Sequence, residues 1–142
     1  GKLRNDKIHP VVGDNVVVDV KTKTIEKVEA RRNYLERPLV ANIDKLLIVT
    51  CDLSYFNSDR EVHQAFIDGG MFSMSLLNAL HYERIATIPL SASLTTVQEN
   101  KVRELVKMKD SEVLIMFIGI GEYCEKCLVA RSTRRFPKIQ KL

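Results

Sequence analysis

The chain has 142 residues, of which 45% are hydrophobic and 28% charged, a composition typical of a globular protein rather than a disordered one. No apolar run approaches the ~20 residues that cross a bilayer, and the first residues lack the apolar core of a signal peptide, so no membrane partner is expected. The formal net charge of +4 permits contact with nucleic acid without requiring it. Three cysteines, an odd number, indicate free thiols and a cytoplasmic location.

The N-terminal third predicts small antiparallel β structure. Residues 11–20 contain two β-branched runs separated by Gly-Asp-Asn, a combination typical of a tight turn or bulge. Valines at alternate positions from Val16 to Val20 predict a half-buried strand. A polar turn at Lys21–Thr24 and a strongly basic extended segment at Arg31–Pro38 follow.

The next segment, Leu46–Cys51, is an unbroken run of six apolar or β-branched residues between charged ends. A short run without alternation predicts a strand that is buried on both faces. To its left the chain is basic and rich in hairpins, and to its right helices and strands alternate.

Three motifs in this first third carry a family resemblance, namely Pro10-Val-Val-Gly-Asp14, Arg32-Asn-x-Leu-x-Arg-Pro38 and Val40-Ala-Asn-Ile-Asp44. In order and spacing they resemble the N-terminal region of the circularly permuted ribosome small-subunit-dependent GTPases. The resemblance implies an OB-fold region that helps to dock on ribosomal RNA. The family's opening strand is largely absent from the start of this sequence, so we expect an incomplete barrel.

RNA contact is therefore expected through the basic strands and one aromatic ring. Basic side chains would contact phosphates and the ring would stack on a base; the candidates are Lys21, Arg31, Arg32, Tyr34 and Arg37. The alternative is that these side chains form a solvated strand face. Neither Gly-x-x-x-x-Gly-Lys-Ser/Thr nor Asn-Lys-x-Asp occurs in the chain, so GTP hydrolysis is not expected.

Beyond the apolar run, a helix is predicted from Glu61, with an interruption at Asp68–Gly70. Methionines and leucines recur at helical spacing from Met71 to Leu80. Such a stripe more often forms core or a dimer interface than a cofactor site, and we expect a homodimer. Extended structure is predicted at Ile85–Leu90.

The last third predicts a helix, a strand and a basic tail. Thr95 and the following acid Glu99 are typical of a helix start, and the helix would run to Met108 with Val102, Leu105 and Val106 facing inward. Val113–Ile120 is a second fully apolar strand, followed by a glycine pair.

This part carries a second resemblance. Segments within it resemble the C-terminal half of nitroreductase-family flavoproteins, of the type associated with polysaccharide biosynthesis: residues 68–81, 88–90, 112–121 and 130–135. The family binds FMN between the subunits of an intertwined homodimer and transfers hydride from NAD(P)H.

The resemblance implies that the backbone of Pro89, Leu90 and Ser91 approaches the flavin ring and that Arg131 and Arg134 meet the FMN phosphate. A guanidinium fork suits a phosphate, and a backbone N–H can stabilise charge on a flavin nitrogen. The alternative for these arginines is a solvated basic extension. The family's N-terminal half has no counterpart here, so FMN binding is expected to be weak or absent.

A metal site is not expected. Cys124 and Cys127 have the spacing of a zinc or redox pair, but a closed zinc site needs four ligands. Cys51 and three scattered histidines are the remaining candidates.

We therefore predict an α+β protein in which a small antiparallel OB-like region, residues 1–45, joins an α/β nitroreductase-like half, residues 46–142, through a buried strand. The first functional hypothesis is an impaired FMN-binding nitroreductase-like redox protein. The alternatives are a non-catalytic RNA- or ribosome-binding module and a folded chimera without an evolved activity.

Overall fold

The computed structural model of the protein describes residues 9–36 and 39–123. The fold is mixed α and β, with small antiparallel sheets and few helices, so the predicted class is confirmed at this level. The elements in chain order are β1 (Val16–Asp19), β2 (Thr24–Val28), β3 (Tyr34–Glu36), β4 (Leu39–Ala41), β5 (Lys45–Asp52), α1 (Val62–Tyr82), β6 (Ala86–Ser91), α2 (Thr96–Val106) and β7 (Glu112–Gly121).

The strands form three sheets, β1–β2, β3–β4 and β5–β7–β6, and every pair of neighbours within them is antiparallel. The nitroreductase-like form of the second half is not confirmed. In the described part of the chain, none of the helices has the length and apolar character needed to cross a membrane.

The β1–β2 hairpin contains the predicted polar turn, in which Lys23 has φ +54°. The prediction that β1 is half-buried is wrong, because Val16, Val17 and Val18 are all exposed. A two-stranded ribbon has no second layer to cover either face, so alternation in the sequence does not produce burial here. Val28, opposite Val16, is the buried side chain of this hairpin.

The apolar strand β5 lies at the edge of its sheet, so the prediction that it is buried on both faces is wrong. Val49 is its buried residue, whereas Leu46 is exposed and its other residues, except the terminal Lys45, are partly buried. An unbroken apolar run does not by itself distinguish an edge strand from a central one. The central strand is β7, the second apolar run, which pairs with β5 on one side and β6 on the other.

Strand β7 supplies side chains to both faces of the sheet. Phe117 packs with Val40 and Leu90 in a buried cluster, and the partly buried Leu114 joins it. The pairing of β7 with β5 contains a bulge at Ile115. Three residues of β7, from Leu114 to Met116, lie opposite two residues of β5, Val49 and Thr50. Because Val40 belongs to the N-terminal third, both parts of the chain share this core. The boundary at residue 45 stays a prediction.

Helix α1 is continuous, so the predicted interruption at Asp68–Gly70 is wrong. Glycine usually weakens a helix by about 1 kcal/mol relative to alanine. Here Gly69 is buried, and a Cβ added to it would lie 2.8 Å from Cγ2 of Ile115. The close approach of helix and sheet at this point requires glycine, and packing outweighs helix propensity.

The buried face of α1 consists of small side chains, Ala65, Gly69 and Ser73, with the Ser73 hydroxyl donating to the Gly69 carbonyl oxygen at 2.7 Å. The stripe was predicted to form core or a dimer interface; within this protomer Met71 and Met74 are exposed and are not core, whereas Leu76, Leu77 and Leu80 are partly buried.

Helix α2 begins as predicted, with a capping box between Thr95 and Gln98, but it ends at Val106 because Lys107 is left-handed at φ +54°. Val102 packs against the core cluster. Leu105 and Val106 are exposed, so the prediction that they face inward is wrong. The helix thus ends two residues before the predicted end at Met108.

Candidate nucleic-acid interface

The Pro10–Asp14 motif forms a turn that is pressed against β4. Gly13 has φ +88°, and a Cβ added there would lie 2.0 Å from the carbonyl oxygen of Ala41. The turn is joined to β4 by a hydrogen bond from the Ala41 N–H to the Val12 carbonyl, at 2.9 Å. Glycine is required at this position both by its backbone conformation and by the absence of space.

Asp14 is the anchor of this turn. Its carboxylate accepts a two-pronged bond from Arg31, from Nε at 2.6 Å and from Nη2 at 2.8 Å, and a third bond from the Val11 N–H at 2.8 Å. The side chains are 1% exposed for Asp14 and 22% for Arg31. The hydrogen bonds from Arg31 hold the pKa of Asp14 below its usual range, and the same pairing raises the pKa of Arg31.

Arg31 therefore has a structural role in addition to its predicted one. Its fork is occupied by Asp14, its Nη2 also donates to the His9 carbonyl at 3.0 Å, and its guanidinium lies 4.6 Å from the centre of the Tyr34 ring. Tyr34 is itself exposed. Contact of Arg31 with phosphate stays a prediction, but it would compete with this network. The stacking role of Tyr34 stays a prediction as well.

Two asparagines of the other motifs join the segments around β3 and β4. The Asn33 side chain donates to the Ile43 carbonyl at 2.7 Å and accepts from the Ile43 N–H at 3.0 Å. Asn42, with φ +57°, accepts from the Arg32 N–H at 2.7 Å and donates to the Gly13 carbonyl at 2.8 Å. The motif residues thus serve as the polar connections of a region with few buried side chains.

Arg32 is the more available of the two neighbouring arginines. Its side chain is 67% exposed, although its Nη2 donates to Asp44 at 2.8 Å and to the Asn42 carbonyl at 3.1 Å. An exposed ion pair of this kind is worth little to stability. Replacing the ion pair with Asp44 by a contact with a phosphate would therefore cost little free energy. Arg37 lies outside the described residues.

The β1–β2 hairpin presents further exposed lysines. Lys21 lies in the turn, where its N–H and that of Thr22 donate to Asp19 at 2.8 and 3.3 Å. Lys23 in the same turn and Lys27 on β2 are also exposed, and the sequence prediction omitted them. The signal was present, since three lysines fall within seven residues, and Lys27 lies along β2 opposite Val17.

An open groove of about 1040 Å³ runs between the hairpin, β4 and the ends of β6 and β7. Its ionisable lining residues are one arginine, Arg32, and four carboxylates: Asp14, Glu29, Asp44 and Glu122. An acidic groove repels phosphate. A nucleic acid is therefore expected on the hairpin and at the exposed side chain of Arg32, and not among the carboxylates of this groove.

The structure describes three of the five residues that were predicted to contact FMN. Leu90 is buried in the core cluster, and Pro89 and Ser91 are exposed on the edge strand β6. Arg131, Arg134, Cys124 and Cys127 lie outside the described residues. Within residues 9–36 and 39–123, no group of three or more His, Cys, Asp or Glu side chains is arranged to hold a metal.

Comparison with known proteins gives one consistent result. The chain is 48% identical over 59 residues to "Small ribosomal subunit biogenesis GTPase RsgA" of Mycoplasmopsis pulmonis, covering 41% of this chain and 21% of that protein. It is 48% identical over 52 residues to the protein of the same name from Clostridium novyi, covering 34% and 18%. These matches confirm the likeness of the N-terminal β region.

A third relative extends the match to the rest of the chain. The protein of the same name from Clostridium botulinum (strain Loch Maree) is 30% identical over 149 aligned positions, which cover all of this chain and 43% of that protein. The chain therefore spans less than half the length of these curated relatives. No family model matches the chain, and no solved structure matches it.

These matches overturn the first functional hypothesis. The prediction of a nitroreductase-like redox protein is wrong, because the residues assigned to it align with a ribosome-biogenesis GTPase and nothing supports a flavoprotein. The likeness to flavoproteins had rested on four short segments, of which residues 112–121 are an apolar strand, and buried strands of unrelated proteins share such runs. The ribosome-related alternative fits the findings better.

Proposed function

We propose that this protein is a non-catalytic RNA-binding module that docks on the small ribosomal subunit through its N-terminal, OB-like β region. The observation that carries the proposal is the 48% identity over 59 residues to a protein named for the biogenesis of that subunit. The relatives are more than twice as long as this chain, so their activity and partners reach it only as part of this proposal.

The charges of the β region support a particular docking face. Asp14 binds Arg31 with both oxygens, so that arginine is already satisfied within the chain. Among the described residues of this region, exposed positive charge lies on Lys21, Lys23 and Lys27 of the hairpin and on Arg32, which is exposed although it is paired with Asp44. Such charges contact phosphates and release bound counterions.

The interaction is expected to be weak and strongly dependent on salt. With two or three phosphate contacts to single-stranded RNA, the logarithm of affinity falls with the logarithm of salt concentration at a slope of roughly −1.5 to −2. Binding would show little dependence on sequence, because phosphate contacts position the protein without reading bases.

The test measures binding to single-stranded RNA by fluorescence anisotropy and to purified small subunits by co-sedimentation, at 50 to 200 mM salt. The variant is Lys21→Glu/Lys23→Glu, in an exposed turn where Lys21 donates to Asp19 through its backbone N–H and not through its side chain. We expect binding to fall by about tenfold or more and the salt slope to flatten, because two phosphate contacts are lost.

The matched control is Lys101→Glu/Lys107→Glu, which makes the same charge change on the exposed surface of α2 and its C-terminal cap. It should reduce binding much less. Equal loss in both variants would reduce the effect to net charge alone, and no loss in either would remove the hairpin from the interface. Arg31→Glu is a poor probe, because it also breaks the Asp14 pair.

We also propose that the 142 residues do not hydrolyse GTP, although the relatives are named GTPases. Hydrolysis requires a loop that cradles the phosphates, and its pattern occurs nowhere in the chain. Release of phosphate from GTP, measured with and without small subunits, should not exceed the background of a protein-free sample. Turnover above background would show that this chain has a different phosphate-binding loop.

A further inference from the structure

Helix α1 has an apolar row on the side that faces away from the sheet. Its inner row is Ala65, Gly69 and Ser73, and the positions about half a turn away are taken by Ile67, Met71, Met74, Asn78 and Tyr82. Four of these five are large and apolar, with exposures of 54%, 60%, 60% and 85% for Ile67, Met71, Met74 and Tyr82. A surface helix normally shows the opposite arrangement.

The exposed area of this row can be compared with that of known interfaces. Phe66 and Phe72 are also exposed, at 48% and 58%, but they lie on the two sides of the inner row and do not belong to the outer row. At ~200 Å² for a large side chain, the four apolar residues of the outer row offer roughly 500 Å² of exposed surface. A standard interface buries about 800 Å² on each partner, of which a little over half is apolar. The row thus offers about the apolar area that one partner contributes to a standard interface.

The lack of charge on this helix indicates which kind of partner fits its outer face. Among residues 62–82, Asp68 is the one Asp, Glu, Lys or Arg, so from Gly69 to Tyr82 the helix carries no such charge. The surface therefore offers nothing to attract RNA or a charged peptide, and nothing that would repel an identical helix. Methionine is flexible and polarisable, so Met71 and Met74 can adapt to one another across a contact.

We infer that the outer face of α1 is a homodimer interface, in which the helix packs against the same helix of a second copy. A two-fold contact uses the same patch on both partners, and an uncharged apolar row satisfies that condition. The inference is independent of RNA binding, because the lysines of the proposed docking face lie on the β1–β2 hairpin and not on α1.

The test is sedimentation equilibrium or light scattering of the parent from 1 to 100 µM, compared with Met71→Glu and Met74→Glu. We expect a dimer for the parent. Each variant should dimerise at least about tenfold more weakly, since a buried, unpaired carboxylate is strongly unfavourable. Both positions are exposed in the protomer, so far-ultraviolet circular dichroism should show an unchanged fold.

Leu105→Glu is the matched control, since it places the same charge at an exposed apolar position on the other helix. It should leave the dimer intact. A monomeric parent at 100 µM would overturn the inference and leave the face to a different protein or to a further segment of a longer chain. A dimer that persists in both methionine variants would also overturn it, because the interface would then lie elsewhere.

Discussion

The two halves of the described chain are held together in different ways. The β region, residues 9–36 and 39–44, depends on polar side chains that bind backbone and one another: Asp14, Arg31, Asn33 and Asn42. The sheet–helix region, residues 45–123, depends on apolar packing of β7 against its neighbouring strands and α1, with Gly69 at the closest approach. Short two-stranded sheets cannot bury enough apolar surface to hold themselves.

This difference changes what the family motifs mean. In the β region, the side chains that carry the resemblance to ribosome-biogenesis GTPases are mostly engaged in contacts within the chain. Asp14, Asn33 and Asn42 hold segments together, and Arg31 is paired. Residues that stabilise the fold of this region can thus carry the family resemblance without contacting a ligand themselves. The RNA contacts proposed for this protein are therefore the exposed lysines outside the motifs.

The largest effect is expected from Asp14→Asn, which removes the charge at the centre of the polar network. Its carboxylate is 1% exposed and accepts three hydrogen bonds, two from Arg31. Hydrogen bonds to charged groups contribute about 1.5–3 kcal/mol each on mutation, so we expect the free energy of unfolding to fall by roughly 2–3 kcal/mol. Urea denaturation measures it.

The same variant has a pH dependence of known sign. The pKa of Asp14 is lowered in the folded protein, so its stabilising effect is present above the unfolded pKa of about 3.9 and is lost as pH falls through the folded value. The difference in stability between parent and variant should therefore be constant from pH 5 to 7 and should shrink below pH 4. A constant difference down to pH 2 would show that the charge of Asp14 does not matter.

The packing of the sheet–helix region is tested by two adjacent glycines. A Cβ at Gly69 would meet Ile115, whereas a Cβ at Gly70 would have no atom within 4 Å. Gly69→Ala should cost about 1–2 kcal/mol, since overpacking costs about 1–3 and helix propensity returns up to about 1. Gly70→Ala should stabilise by roughly 0.5–1 kcal/mol. Thermal melts of both variants measure these changes in stability. Equal shifts in melting temperature would contradict the close contact between Gly69 and Ile115.

Local features of the fold could be predicted from sequence, but the contacts between elements could not. The capping residue Thr95 and the apolar strand at Val113–Ile120 were found because their signals lie within a few neighbouring residues. The edge position of β5 was missed because an apolar run does not specify its partners. The continuity of α1 was missed because Gly69 is explained by Ile115, which is 46 positions away in the chain.

In the candidate site, too, local features could be predicted from sequence and contacts between distant residues could not. Lys21, Arg32 and Tyr34 were found as exposed residues of the β region. The pairing of Arg31 with Asp14 was not predicted, because it joins residues 17 positions apart across a turn whose shape depends on Gly13. Lys23 and Lys27 were missed since basic segments were weighed one strand at a time.

The smallest expected effect concerns FMN, whose binding is predicted to be weak or absent. A bidentate arginine–phosphate contact at Arg131 or Arg134 would contribute about 1.5–3 kcal/mol, against the roughly 8 kcal/mol that micromolar affinity requires. Titration of FMN fluorescence to ~100 µM protein should show no saturable quenching, and Arg131→Ala/Arg134→Ala should behave as the parent does. Stoichiometric quenching that this double variant abolishes would show that the basic C-terminal residues bind phosphate, and it would separate the sheet–helix region from the ribosome-related proteins that it resembles in sequence.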